Sequence, residues 1–383
     1  MTTTPSTTST SNTTEAAASN TSSSTVIFTH GGVFHADDAF SVAALKAILP
    51  AAEVRRVFAL PATMPRLFVV VDVGGVYDNA LKFDHHQEKA QLPPARANGC
   101  PRAAFGALWA SEWGRDVCGA VAGAVYPHFP WRLGAATKIR DAVDRTLVQG
   151  IDALDCGWSP RLQVKQDGQG GACVTGWHLP DSEEAYWDGS QELPPDRPGE
   201  ALTISHIVRG LNPRYDEPAS PAARDALFAK AVEMAEGVLR REILYVAAAL
   251  MAETEVLAAR TRNGGRTLVL PKFLPWQDCL AARPDQADLL YVVFPSERGG
   301  FCIQQVPQAP KSMKGRRPLP AAWAGKRGDE LAALVNAASA EIWPEGNLRV
   351  TASPSLFCDP RQFIGGAATE EEAFLLAELA LRD

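Results

Sequence analysis

The feature that most restricts the fold is the nearly unbroken apolar run of residues 67–73, which is interrupted only by Asp72. A strand that is apolar on both faces must be covered on both faces, which is typical of a parallel sheet between helices. Further β-rich runs lie at 26–28 and 54–60, with a helical stretch at 37–49 between them that stops before proline 50. Helical patterns also occupy 101–113 and 133–148. The alternation predicts an α/β domain with a mostly parallel sheet flanked by helices.

The length of 383 residues exceeds what one hydrophobic core usually serves, so two domains are expected. Seventeen of the first 25 residues are Ser or Thr, which predicts a disordered tail. Acidic, Gly- and Pro-rich sequence between 157 and 200 predicts a solvated surface excursion. The predicted division is a tail at 1–25, an α/β domain at 26–215, a connecting helix at 216–260 and a smaller α/β domain at 261–383.

The C-terminal domain is predicted from shorter patterns. Apolar β-like runs precede and follow an Arg-Gly-Gly turn at 298–300, and a Thr-Glu-Glu-Glu sequence opens a terminal helix. The predicted elements are strands at 267–270, 289–294 and 301–306 and a helix at 369–381.

Composition excludes several classes of protein. No run approaches eighteen apolar residues, so no membrane partner is expected. A net charge of -7 argues against a protein that holds nucleic acid by bulk charge. Seven cysteines without a Cys-x-x-Cys pair indicate neither a disulfide framework nor a thiolate zinc site. The N terminus lacks a basic, apolar secretory signal and an arginine-rich mitochondrial leader, so an intracellular, non-secreted protein is expected.

Histidines and aspartates gather where the predicted strands end. His30, His35 and the Asp37-Asp38 pair follow the first strand, Asp72 ends the third, and Asp84-His85-His86 comes shortly after. Ligands of open parallel sheets bind beyond the carboxyl ends of the strands, so these three segments are expected to converge on one site.

Imidazole and carboxylate ligands without thiolates suit a divalent ion of intermediate hardness. We expect two Mn²⁺ ions, with Mg²⁺, Zn²⁺, Fe²⁺ or Co²⁺ as alternatives. Two ions about 3.5 to 4 Å apart stabilise the attacking and leaving oxygens at phosphorus, which predicts phosphoester hydrolysis by a metal-activated water. A single structural zinc is the alternative, and each residue alone would suit a turn or a helix cap.

Asp84-His85-His86 after residues 71–75 resembles the DHH phosphoesterase superfamily. Five motifs in order, at 29–37, 71–77 with 83–87, 151–155, 211–215 and 363–366, look like the melanocyte proliferating gene family of metal-dependent phosphoesterases and exonucleases. The resemblance implies a DHH fold with a smaller C-terminal domain joined by a long helix. It also implies a 3′-to-5′ RNA exonuclease acting on single-stranded 3′ ends in the nucleus or the mitochondrion, with the cytoplasm as an alternative.

The same resemblance implies residue roles. The superfamily's first motif, His-x3-Asp-x-Asp, is replaced here by His30-x4-His35-x-Asp37. Asp72 is implied as the bridging carboxylate, and His86 as the group facing phosphate. The fourth-motif aspartate is either Asp152 or Asp155. The implied catalytic residues are Asp72, Asp84 and His86, and the implied metal ligands are His30, His35, Asp37, Asp72, His85 and one of Asp152 and Asp155.

Substrate contacts are expected in the C-terminal domain. A basic run at 311–327 stands out in an otherwise acidic protein, and beside a phosphoesterase site we interpret it as a phosphate-backbone groove rather than a solvated loop. A Gly-Gly pair before the last helix resembles the glycine motif of DHH-associated domains and would offer backbone N–H groups to phosphate, with an ordinary turn as the alternative. The residues in question are Lys311, Lys314, Arg316, Arg317, Arg327, Gly365 and Gly366.

Two other functions remain open from the sequence. A phosphodiesterase or phosphatase for small substrates, such as a cyclic dinucleotide or a nanoRNA, would tolerate neutralisation of the basic run. A non-catalytic scaffold stabilised by metal would lose its fold, and not only an activity, in Asp72→Asn. The sequence leaves a homodimer, the physiological RNA and the native metal undetermined.

Overall fold

The computed structural model describes residues 25–88, 91–128, 134–157, 162–166, 172–177, 202–217, 219–344 and 348–382. These residues form two compact units. The first unit contains the described residues up to 121 and from 134 to 240, and the second contains those from 122 to 128 and from 241 onward. Residues 1–24 of the predicted tail lie outside the described residues, and the predicted domain boundaries remain predictions.

The first unit is built on a four-stranded sheet in the order β2-β1-β3-β4. All of its neighbouring strands are parallel, and Ile27 of β1 lies between Val54 and Val69. The apolar residues of β1 are buried, as are Val69, Val70 and Val71 of β3, which is expected of strands covered on both faces. The predicted α/β fold with a parallel sheet is therefore confirmed. The strands are β1 (Val26–His30), β2 (Glu53–Val57), β3 (Phe68–Val71) and β4 (Lys82–Phe83).

Helices follow the strands, but two predicted helices have other bounds. The helix predicted at 101–113 begins only at Ala104 and is interrupted at the extended Ser111, whose hydroxyl accepts the N–H of Trp113 (3.2 Å). The helix predicted at 133–148 ends in a π-helical turn, Asp144–Val148, and continues into a further helix. The helices are α1 (Ala36–Ile48), α2 (Ala104–Ala110), α3 (Glu112–Val125), α4 (Ala135–Val143), α5 (Gln149–Asp155) and α6 (Ile204–Arg209).

The predicted surface excursion contains regular structure that its composition did not indicate. Strands β5 (Leu162–Gln166) and β6 (Ala172–Trp177) form an antiparallel pair. The other residues between 158 and 201 lie outside the described residues. Within the segment 216–260 the structure has α7 (Pro221–Ala258), a single helix of 38 residues, and its role as a connection between domains remains a prediction.

The second unit contains a six-stranded sheet in the order β11-β12-β10-β9-β8-β7, in which only β8 and β9 are parallel. Thr369 caps the last helix by accepting the N–H of Glu372 (3.1 Å), as the Thr-Glu-Glu-Glu sequence predicts. The elements are β7 (Arg260–Arg262), β8 (Thr267–Val269), α8 (Gln277–Ala281), β9 (Tyr291–Pro295), β10 (Phe301–Gln305), α9 (Gly328–Ile342), β11 (Phe357–Cys358), β12 (Ile364–Ala367) and α10 (Glu370–Ala380).

One face of this second sheet is covered by apolar side chains of α9 and α10. Tyr291, Val293 and Ile303 of the central strands pack with Leu331 of α9 and Leu375 of α10. Throughout the described residues, no helix combines the length and apolar character needed to cross a membrane.

Candidate metal centre

Eight side chains meet near the carboxyl ends of the parallel strands in the first unit. We call them the His/Asp cluster. His30 is the last residue of β1, Asp72 follows β3 and Asp155 ends α5. The full cluster is His30, His35, Asp37, Asp38, Asp72, His85, His86 and Asp155, so all three segments predicted to converge contribute to it.

His30 presents one ring nitrogen to two buried carboxylates. Its Nδ1 lies 2.9 Å from an oxygen of Asp72 and 3.1 Å from one of Asp38, while its Nε2–H donates to the carbonyl of Val33. Burial lowers the pKa of His30, but the two carboxylates outweigh it and raise the pKa to about 9. A neutral His30 that keeps its proton on Nε2 has Nδ1 free as a metal ligand.

Asp72 joins the two halves of the cluster. Its oxygens lie near Nδ1 of His30 and, at 3.3 Å, near Nε2 of His85. Burial alone would raise the pKa of Asp72, but these imidazoles outweigh it and hold the pKa well below its usual range. Its backbone is left-handed (φ 56°), a conformation that Asp tolerates better than most residues. The residue thus keeps a negative charge at the centre of the site.

Asp155 enters the cluster from α5. Its carboxylate lies 3.2 Å from Nε2 of His85 and 3.8 Å from Nδ1 of His35. Nδ1 of His85 is occupied elsewhere, 3.7 Å from the sulfur of Cys156. His85 therefore presents Nε2 to the cluster.

Asp84 anchors the loop that carries His85 and His86. One of its oxygens accepts the N–H groups of His85 (2.7 Å) and His86 (3.0 Å) and the Nδ1–H of His86 (2.8 Å), and the other accepts the N–H of Gly75 (2.6 Å). This carboxylate raises the pKa of His86. The His86 side chain is 64% exposed, so its Nε2 is accessible to a ligand.

Asp37 is fully buried and holds the start of α2. Its two oxygens accept the N–H groups of Ala104 (3.1 Å) and Phe105 (2.7 Å), which explains why this helix starts at Ala104. An oxygen of Asp37 also lies within 4.8 Å of ligand atoms of His85 and Asp155. Burial raises its pKa well above the usual range.

The structure separates the two fourth-motif candidates. Asp155 lies in the cluster, whereas Asp152 accepts hydrogen bonds from Nη2 of Arg96 (2.7 Å) and the N–H of Gly106 (3.0 Å). Arg96 also binds both oxygens of Asp144 (2.8 and 2.6 Å). Asp152 therefore belongs to a buried ion-pair network that ties α5 to α2.

The donor atoms of the cluster fit a metal. Three triads each bring their ligand atoms within 4.8 Å of one another. Four buried atoms of the cluster each lie within 3.3 Å of an imidazole nitrogen or a carboxylate oxygen but form no hydrogen bond of suitable geometry with the described residues, a costly situation that a bound cation relieves. The triads are His30/His35/Asp72, Asp72/His85/His86 and Asp37/His85/Asp155, and the four atoms are Nδ1 of His30, Oδ2 of Asp38, Oδ1 of Asp72 and Nε2 of His85. These groups can hold a metal ion.

Three residues that support the cluster were not assigned roles from the sequence. Asp38 orients His30 and accepts the N–H of His35 (3.0 Å), and its place beside Asp37 was the only indication. Asn212 clamps the backbone of Phe34 through hydrogen bonds of 2.9 and 2.8 Å across 178 residues. Arg96 reaches Asp152 across 56 residues, and no local pattern predicts such contacts.

The basic run lies in the second unit, where three of its members have structural partners. Lys326 pairs with Glu330 on the first turn of α9. Arg316 donates to the carbonyls of Leu289 (2.9 Å) and Leu280 (3.0 Å), and Arg317 donates to that of Ala380 (3.0 Å). The predicted groove remains a prediction, and its exposed members are Lys311, Lys314 and Arg327, the last with its guanidinium 5.7 Å from the Phe357 ring centre.

Gly365 and Gly366 lie inside strand β12, which pairs with β10 on one side and β11 on the other. A Cβ on Gly365 would lie 2.9 Å from the carbonyl oxygen of Phe357, and one on Gly366 would lie 2.5 Å from its ring. Close packing between strands therefore requires glycine at both positions, independently of the predicted phosphate contact.

Comparisons with known proteins extend over nearly the whole chain. The family model MYG1_exonuc, described as "Uncharacterised protein family (UPF0160)", matches residues 26–381. The chain is 25% identical to "MYG1 protein YER156C" of Saccharomyces cerevisiae, covering 93% of this chain and 95% of that protein. It is 27% identical to "MYG1 protein" of Dictyostelium discoideum, covering 92% and 94%. It is also 27% identical to "MYG1 exonuclease" of Mus musculus, covering 93% and 84%.

A search of solved structures gave no significant match. The family model nevertheless covers both units and every motif that carried the resemblance. The chain belongs to the MYG1 family (UPF0160).

Proposed function

We propose that this protein is a metal-dependent nuclease that removes nucleotides from the 3′ ends of single-stranded RNA, on a DHH-type fold. The observation that carries the proposal is the set of overlapping triads in the His/Asp cluster, in which Asp72 and His85 each belong to two triads. A carboxylate has two oxygens, so Asp72 could serve two neighbouring ions, whereas Nε2 of His85 would bind one of them. The exonuclease name of the mouse relative supports a nucleic-acid substrate.

The donor chemistry favours Mn²⁺ because the cluster offers imidazoles and carboxylates without a thiolate ligand. His30, His35, Asp37, Asp72, His85 and Asp155 would hold the ions, with Asp38 orienting His30. When bound, such ions supply Lewis acidity and lower the pKa of water.

His86 and Asp84 would act on the phosphate side of the site. Because Asp84 accepts the Nδ1–H of His86, the exposed Nε2 carries the second proton when the ring is charged. The hydrogen bond to Asp84 raises the pKa of His86, which favours that charged form. We propose that this N–H binds a phosphate oxygen of the substrate, while Asp84 keeps the ring in place.

The proposal extends to the remainder of the chain. Residues 26–215 would form the catalytic domain, 216–260 the connecting helix and 261–383 the substrate-binding domain. Lys311, Lys314 and Arg327 are the exposed cations that would contact the RNA backbone. Family resemblance supports a nuclear or mitochondrial location.

The test is hydrolysis of a short 5′-labelled single-stranded RNA by purified protein with Mn²⁺ at low salt. We expect a ladder that shortens from the 3′ end and disappears with EDTA or in Asp72→Asn. Asp116→Asn, which changes an exposed aspartate on α3, is the matched control and should retain activity. If the RNA survives while bis-p-nitrophenyl phosphate is cleaved, the RNA substrate is refuted. If neither is cleaved by metal-loaded protein, the enzyme hypothesis is refuted.

One observation favours a second candidate, a phosphodiesterase for small substrates. Arg316 and Arg317 donate to backbone carbonyls of their own unit, which leaves fewer cations to bind a long phosphate backbone. A Lys311→Gln/Lys314→Gln variant separates the candidates. The RNA hypothesis expects weaker cleavage and a smaller salt dependence, whereas the small-substrate hypothesis expects no change in cleavage of a dinucleotide.

A further inference from the structure

Phe58 is an exposed aromatic residue at the functional edge of the first sheet. It directly follows β2, and its surface is 87% exposed. Strand β2 is parallel to β1, with Val57 opposite His30, and the N–H of Gly31 donates to the carbonyl of Val57 (2.8 Å). Phe58 therefore lies beside the loop that begins at His30 of the His/Asp cluster.

The ring of Phe58 lies over two glycines of that loop. A Cβ on Gly31 would lie 3.3 Å from Cε2 and Cζ of the ring, and a Cβ on Gly32 would lie 3.3 Å from Cε1. Gly32 also has a left-handed backbone (φ 88°), which disfavours other residues. The glycines thus support the ring from one side without enclosing it.

The ring also lines a pocket of about 380 Å³ together with Val33, Pro221 and Arg224. Val33 is itself 52% exposed, so the pocket has an apolar wall next to His30. This volume is near the lower end of the range for small-molecule sites, about 300 to 1,000 Å³, and suits a ligand of nucleotide size rather than a protein segment.

The pocket carries excess positive charge. Arg56 and Arg224 both line it, whereas Asp225 is its one carboxylate. Arg56 binds Asp225 (3.0 Å) and the carbonyl of Gly32 (2.8 Å), and its buried Nε has no hydrogen-bond partner among the described residues. An apolar platform with a cationic edge matches the two parts of a nucleotide, the base and the phosphate.

We infer that Phe58, supported by Gly31 and Gly32 and flanked by Arg224, forms a subsite that stacks a nucleobase of the substrate or product beside the His/Asp cluster. Stacking on one aromatic face tolerates every base, because each base has a π-face. The inference rests on the proposed function for the source of the base, an RNA strand, but the stacking chemistry applies equally to a free nucleoside monophosphate.

The experiment measures binding of AMP and of ribose 5-phosphate, which lacks a base, to the full chain in Mn²⁺ by calorimetry. Phe58→Ala should weaken AMP binding roughly tenfold to a hundredfold and leave ribose 5-phosphate binding within about twofold. Phe58→Trp should retain AMP binding. Tyr245→Ala, which removes another exposed aromatic side chain (73%), is the matched control and should bind AMP like the wild type.

The outcomes separate this inference from the proposed function. If Phe58→Ala weakens AMP binding selectively while the wild type leaves RNA intact, the subsite stands and the RNA exonuclease falls. If the wild type degrades RNA but Phe58→Ala binds AMP as tightly as before, the subsite is overturned. Equal losses in Phe58→Ala and Tyr245→Ala, equal losses for the two ligands, or no AMP binding by the wild type also overturn it.

Discussion

Replacing Arg96 with Met should destabilise the first unit strongly. Arg96 is almost completely buried and donates to Asp144, Asp152 and the carbonyl of Pro101 (2.8 Å). The carboxylate partners hold the pKa of Arg96 above its usual range in spite of its burial. Methionine fills much of the same volume, but it removes the cation that pairs with Asp152. In the part of the chain that the structure describes, the Asp152 carboxylate, which has 0% exposure, then keeps only the N–H of Gly106 as a donor.

Breaking a buried pair by removing one partner costs about 3 to 5 kcal/mol. For a unit of roughly 200 residues, a loss of 1 kcal/mol lowers Tm by about 2 to 4 °C, so we expect a decrease of roughly 6 to 20 °C. Thermal and urea unfolding followed by circular dichroism would measure it. Arg115→Met removes a half-buried arginine on α3 that pairs with the exposed Glu112 and Asp116, and it should cost less than about 1 kcal/mol.

A double-mutant cycle with Asp152→Asn tests the cause. If the unpaired Asp152 carboxylate causes the destabilisation, Asp152→Asn should recover part of the unfolding free energy that Arg96→Met loses. The coupling energy between the two substitutions should then be roughly 1 to 3 kcal/mol. A loss below about 1 kcal/mol in Arg96→Met, or two changes that add without coupling, would refute the assignment of this network as the tie between α5 and α2.

Three further predictions concern other parts of the first unit. Gly106→Ala should cost about 1 to 3 kcal/mol in urea unfolding because its Cβ would lie 1.7 Å from an oxygen of Asp152. Gly150→Ala on α5, where a Cβ meets nothing within 4 Å, should be neutral or stabilising, and equal losses would contradict the steric argument. Asp78 accepts three backbone N–H groups of its turn, which lower its pKa despite the opposing effect of burial. The stabilisation by ionised Asp78 should therefore be present near neutral pH and disappear as the pH falls through the lowered pKa. The difference in Tm between the wild type and Asp78→Ala should reflect about 1 kcal/mol at pH 7 and should vanish in acid. A difference that stays constant with pH would exclude stabilisation by the ionised carboxylate. Mn²⁺ at 100 times its Kd should stabilise the first unit by about 2.7 kcal/mol for each ion bound, measured by thermal unfolding, and no shift in Tm would argue against a metal in the His/Asp cluster.

The sequence predicted the parallel sheet and the segments that meet at its edge for one physical reason. Strands covered on both faces must be apolar throughout, as Val69, Val70 and Val71 are, and polar residues at their ends then concentrate at one edge. His30 and Asp72 are strand-end residues of this kind, so their approach could be predicted without any knowledge of loop conformation. The start of α2 could not be predicted in this way, because Asp37 caps that helix from 67 residues away.

The sequence could not show which carboxylates pair with an arginine and which lie in the His/Asp cluster. Asp152 and Asp155 lie three residues apart and are chemically identical, yet Arg96 takes the first and leaves the second to the cluster. The arginines of the basic run illustrate the same difficulty, because Arg316 binds carbonyls that only folding brings to it. Residue type therefore indicates the chemistry available at a site, whereas the long-range partner of each charged group decides whether that group supports the fold or remains free for a ligand.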